Sequence, residues 1–139
     1  MNSISLIRTI LGAARGNILP LAYVVDITAQ RIFIQHIAED DVKLCSDVCV
    51  TAAKHLPGKP QGKAVMRQAA RLANRCWDKL LKEGWVKEYI GKEISEIDGP
   101  RMMIIYLATL AYFDKPYVQM VDEYAEIFMG QLPNKSLLP

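Results

Sequence analysis

The chain of 139 residues carries little net charge: 17 Lys and Arg stand against 15 Asp and Glu, a formal +2. That balance excludes both a chain-wide cationic coat for nucleic acid and an acidic mimic of it. Cysteine is scarce and odd in number, with three in the chain. A disulfide framework is therefore not expected, and a reducing, cytoplasmic setting is. No apolar run is long enough to cross a membrane. The longest, residues 102–113, makes a helix of about 18 Å against a hydrocarbon core of about 30 Å, so it reads as a buried helix. At the N-terminus Arg8 and Arg15 interrupt the apolar stretches, and no small-residue cleavage pattern follows, which argues against a signal peptide. Low-complexity tracts and internal repeats are missing. So are a Walker-type loop, GxGxxG, GxSxG and HExxH.

What is present is the composition of a folded domain, 51% hydrophobic and 23% charged. A chain of this length buries about two-thirds of its unfolded surface and folds without a metal or disulfide. One helical domain over residues 1–130 is expected, followed by a tail at 131–139. Proline and glycine punctuate the sequence as they do in helical proteins, with prolines where helices begin and glycines where they end. The spacing predicts an all-α, compact bundle of six or seven helices.

The first helix covers residues 3–14, capped by Ser3 and stopped near Gly16. The second opens at Pro20 and runs to about Glu39. Its apolar residues point nearly all round the wheel, and two β-branched strands are the alternative there. The connecting Thr28-Ala29-Gln30 lacks the Gly or Asn of a tight hairpin, which favours the helix. Asp40 or Asp41 is expected to cap a third helix to Leu56, with Val42, Cys45, Val48, Cys49, Ala52, Ala53 and Leu56 on its apolar face. Further helices are expected at residues 62–83, 85–90, 100–113 and 116–129.

Charge is unevenly placed along the chain. Residues 54–92 hold ten Lys and Arg against three acids, a net of +7, whereas residues 93–139 hold three against seven, a net of −4. Lys63, Arg67, Arg71, Arg75, Lys79 and Lys82 fall within an arc of about 160° on the 62–83 helix, and apolar residues fill the other half. Such a face meets carboxylates on a protein partner or phosphates of a nucleic acid; a solvated helix face is the plain alternative. The basic side has no interleaved aromatics to stack on bases, which argues against a dedicated single-strand binder. A membrane-surface role ranks last, because the apolar half is mostly Ala and Leu-sized and suits packing in a bundle.

Candidate chemistry is sparse. Cys45, Cys49 and His55 have the elements of a zinc site, but C-x3-C without a second pair is a weak pattern, and both cysteines are expected on an apolar face, as is Cys76. His36 is a candidate general base with no nucleophile tied to it. Glu39, Asp40 and Asp41 suit helix capping better than a hard cation. Asp122, Glu123 and Glu126 lack the histidine of a Glu-x-x-His metal site. No metal, cofactor or catalytic residue is assigned.

The expected function is therefore non-enzymatic. It is that of an inhibitor, adaptor or regulator engaging an acidic protein partner through the basic face, with nucleic-acid binding as the alternative. This rests partly on association, since many motif-poor helical proteins of this size play such roles. The aromatic and methionine content of residues 106–129, with the greasy 102–113 helix, suggests a homodimer packed through the apolar helices, the alternative being that this helix is the centre of a monomeric bundle.

Overall fold

The computed structural model describes residues 1–13 and 16–131. It is all-α. Seven α-helices stand among the described residues: α1 (Ser3–Leu11), α2 (Leu19–Ala29), α3 (Cys49–Ala53), α4 (Gly62–Glu83), α5 (Val86–Ile90), α6 (Pro100–Phe113) and α7 (Tyr117–Tyr124). α2 and α6 pack against each other at the centre, with α4 crossing both and α1 and α3 completing the layers around them. The predicted tail beyond Gln131 lies outside the described residues.

The central pair follows from composition. α2 buries Leu21, Val24, Val25, Ile27 and Thr28, so it is apolar on nearly every side. A helix with no polar face can be satisfied only by neighbours all round it. α6 behaves alike, burying every residue from Met103 to Thr109. Two threonines share this dry environment at 0% exposure because each hydroxyl donates within its own helix, Thr28 to the carbonyl of Val24 (2.7 Å) and Thr109 to that of Ile105 (2.8 Å). Among the described residues no buried side-chain polar atom lacks a partner.

The boundaries predicted for α4 and α6 coincide with those observed. α4 ends at Gly84 with φ 72°, and the N–H of Trp85 reaches the carbonyl of Leu80 (2.9 Å). At its start a Cβ on Gly62 would stand 3.0 Å from Val50 Cγ2, so the missing side chain lets the α3 and α4 segments close up.

Elsewhere the structure departs from expectation. α1 is capped by Asn2, whose Oδ1 accepts the N–H of Ser5 at 2.8 Å. Ser3 is already inside the helix and buried, and the helix ends at Leu11 rather than at residue 14. Residues 20–34 are helical and form no hairpin, but no single helix runs on to Glu39. α2 passes into a π turn over Gln30–Ile34, and the chain then breaks at His36, which adopts φ 58°. Histidine tolerates this left-handed geometry better than a β-branched neighbour would.

The helix predicted to start at Asp40 or Asp41 does not. Glu39–Asp41 form a short 3₁₀ turn, Val42 is extended, and a second π turn over Leu44–Val48 leads into α3. A π turn holds one residue more than an α turn, so it rotates everything before it relative to everything after it. Leu44 therefore faces the core in place of Cys45, which is exposed. The last predicted helix is divided too: α7 stops at Tyr124 and a 3₁₀ turn covers Ala125–Met129. Gly130 then passes so close to the 36–38 segment that a Cβ there would meet His36 O and Ala38 N at 3.0 Å.

Candidate functional site

α4 carries the candidate surface because its two sides have opposite composition. Val65, Ala69, Leu72, Ala73, Cys76, Trp77 and Leu80 are buried. Ala69 and Ala73 keep the helix close to its neighbours. Lys63, Arg67, Arg71, Arg75 and Lys82 are exposed on the other side. Leu81, expected on the dry half, is 42% exposed. It lies about five turns after Lys63 at the same angle, on the border between the two sides.

The cations are not equivalent. Lys79 pairs with Glu83 at 3.2 Å one turn on, both side chains being 36% exposed, so part of its charge is already met within the helix. Among the described residues the other five make no ion pair. Since four residues overshoot one helical turn by about 40°, the row from Lys63 to Lys79 winds across the surface as it advances about 24 Å.

Two hollows lie along this side. One, of about 250 Å³, is bounded by Arg71, Arg75 and Gln68 of α4 and by Asn17 and Pro20 of the opposite wall. The other, of about 270 Å³, is lined by Leu11, Arg75, Asp78, Lys79 and Lys82. Arg75 belongs to both.

The remaining candidates are scattered. Cys49 and Cys76 are buried, and burial pushes their thiols up to about 11 and about 12, far from the thiolate. Cys49 Sγ sits 3.5 Å from Met66 Sδ, while Cys45 is exposed and His55 stacks against Tyr23 at 6.1 Å. Among the described residues no three His, Cys, Asp or Glu side chains gather in a metal-binding group. Asp122 is exposed on α7, and Glu123 beside it meets Gln119 (3.1 Å) and Lys115 (3.9 Å).

Sequence reasoning missed two polar clusters, both of which serve the architecture. Arg31 grips Asp47 with a fork, Nε to Oδ2 at 2.8 Å and Nη2 to Oδ1 at 3.1 Å, and so joins the two π turns. The hydrogen bonds from Arg31 hold the Asp47 carboxyl below its ordinary 3.8. The second cluster joins Arg101, Glu39 and Tyr117. Arg101 donates to the carbonyls of Val42 (2.9 Å) and Glu39 (2.6 Å), and the Tyr117 hydroxyl donates to Glu39 Oε1 (2.6 Å). Residues 59 to 78 positions apart meet here, which no local pattern announces.

Burial pushes the Glu39 carboxyl above its ordinary 4.5, and Asp40 adds to the rise against the opposing pull of Tyr117 and Arg101. A carboxyl raised on folding contributes stability that is complete below the unfolded value and is lost as pH climbs through the folded one. Glu39→Gln keeps an oxygen for Tyr117 and removes the buried charge. Its melting temperature relative to the parent is expected to be higher at pH 7 than at pH 4. A loss greater at pH 7 than at pH 4 would contradict the sign.

Met103–Thr109 of α6 are buried within the same chain, whereas Tyr112 in its last turn is 48% exposed. Among the described residues no helix is long and apolar enough to cross a membrane. No protein-family model, curated protein or solved structure matches this chain.

Proposed function

We propose that the protein is a non-enzymatic binding protein, an inhibitor, adaptor or regulator, that docks an acidic protein partner on the cationic side of α4. The observation that carries this reading is the set of five exposed cations, Lys63, Arg67, Arg71, Arg75 and Lys82, on one side of a helix whose other side is buried. A helix held rigid by the core fixes the spacing of the backbone positions that carry these charges, so a complementary surface has only the side chains to order. Its field also speeds encounter with an acidic partner. Nucleic acid would meet the same charges, but among the described residues the hollows beside them show no aromatic side chain for a base to stack on. A second reading, self-association, rests on Ile34 (55% exposed) and Tyr112 (48%), which line one hollow together.

The test is binding of a labelled polyglutamate peptide and of random duplex DNA at about 50 and about 200 mM salt. The parent chain is expected to bind the peptide in a salt-sensitive way. Combined Arg67→Glu, Arg71→Glu and Arg75→Glu should weaken it at least about tenfold at the lower salt with an unchanged helical circular dichroism spectrum. Retained affinity in the reversed chain would reduce the face to solvated surface, and tighter binding of DNA than of peptide would transfer the site to nucleic acid.

A further inference from the structure

The two hollows beside α4 differ in charge. The one toward Lys82 contains Asp78, and its Lys79 is already engaged by Glu83. The other presents Arg71, Arg75, Gln68 and Asn17 over Leu72, with no carboxylate in its wall among the described residues. Arg71 and Arg75 rise one turn apart from the same side of α4. Asn17 uses its Oδ1 to accept the N–H of Leu19 at 3.0 Å, which leaves its amide nitrogen as a donor. The cradle thus holds two positive charges and two neutral amide donors.

A ligand matched to it carries about two negative charges and more acceptor oxygens than a carboxylate has. A phosphate monoester, at about −1.5 to −2 near neutral pH with three strong acceptor oxygens, meets both conditions. A single carboxylate would leave one guanidinium unanswered. We propose that the hollow between α4 and the segment around Asn17 is a phosphate-monoester pocket, in which Arg71 and Arg75 seat a phosphoserine or phosphothreonine of the protein partner. This rests on the docking role of α4 and names the group it reads. Paired guanidiniums recognise phosphorylated side chains by such bidentate contacts. Among the described residues the wall has no aromatic ring for a base, which favours a protein source for the phosphate.

Fluorescence anisotropy of the full chain against one neutral-flanked peptide, carrying phosphoserine, serine or glutamate at its centre, tests the assignment. The phosphoserine form is expected to bind at least about tenfold more tightly than the other two. Arg71→Gln and Arg75→Gln, each with parental circular dichroism, should erase that preference. Lys63→Gln, which removes one charge of the same face outside the hollow, should keep it within about threefold. Equal binding of the phosphoserine and glutamate peptides overturns the pocket, and so does an equal loss from Lys63→Gln and Arg71→Gln. If polyglutamate still binds in either case, the docking surface stands and only the pocket falls. If neither peptide binds, both fall. A single-stranded oligonucleotide bound more tightly than the phosphopeptide also overturns the assignment.

Discussion

Ile104→Ala is expected to destabilise the chain by about 2–5 kcal/mol, a large part of the roughly 5–15 kcal/mol that holds a domain of this size together. Ile104 is 0% exposed in the middle of α6, the helix that touches α1, α2, α4, α5 and α7. Truncation removes three carbons from the driest part of the core. The surrounding side chains are themselves fixed by packing on several helices, so they close only part of the space left behind. The denaturation midpoint should fall while the dependence of stability on denaturant stays unchanged, because the folded surface is the same. The melting temperature should drop by on the order of 10 °C. A loss below about 1 kcal/mol would mean that α6 is less enclosed than its burial indicates.

Arg101→Ala is expected to cost about 2–4 kcal/mol, although Arg101 is only partly buried and makes no ion pair among the described residues. Its two guanidinium nitrogens satisfy the carbonyls of Glu39 and Val42, and these belong to the irregular stretch between the two π turns. That stretch has no long helix to hold it. Without Arg101, two carbonyls lose charge-assisted donors and Glu39 loses its nearby positive charge while keeping its burial. Arg101→Lys should recover less than half of the loss, because an ammonium is a point donor and cannot span both carbonyls as a guanidinium fork does. Hydrogen exchange provides the local reading: amides of residues 39–43 should lose protection in Arg101→Ala before those of α4 do. Uniform loss across the chain would show that Arg101 braces the whole bundle rather than this turn.

Neither residue was visible as important from the sequence, and the reasons differ. Ile104 sits in a run whose burial was plain, but a run of twelve apolar residues does not reveal which of them is central. Arg101 reads as an ordinary charge following the proline that opens α6. Its partners are backbone carbonyls some sixty positions away, and a carbonyl has no signature in a sequence. The cysteines show the same limit at shorter range. Helical spacing placed Cys45 and Cys49 on one dry face, and a single inserted residue in the Leu44–Val48 turn brought Cys45 to the surface. Periodicity assumes a constant turn and fails where packing makes an extra residue cheaper than a perfect helix.

What the amino-acid sequence determined by itself was local. It set the ends of α4 and the start of α6, through Gly62, Gly84 and Pro100, whereas Asp114 in the left-handed region closes α6. It also set the division of α4 into a dry half and a cationic half, which any regular helix of that sequence has before it meets a neighbour. The tertiary structure decided what depends on distance. It placed Asn17 opposite Arg71 and Arg75 across one hollow, and brought Glu39, Arg101 and Tyr117 together. Pattern acts over a few residues, where backbone geometry is repetitive. Sites form where distant segments are brought into contact by the burial of their apolar sides, and which polar groups then face each other is settled by that packing.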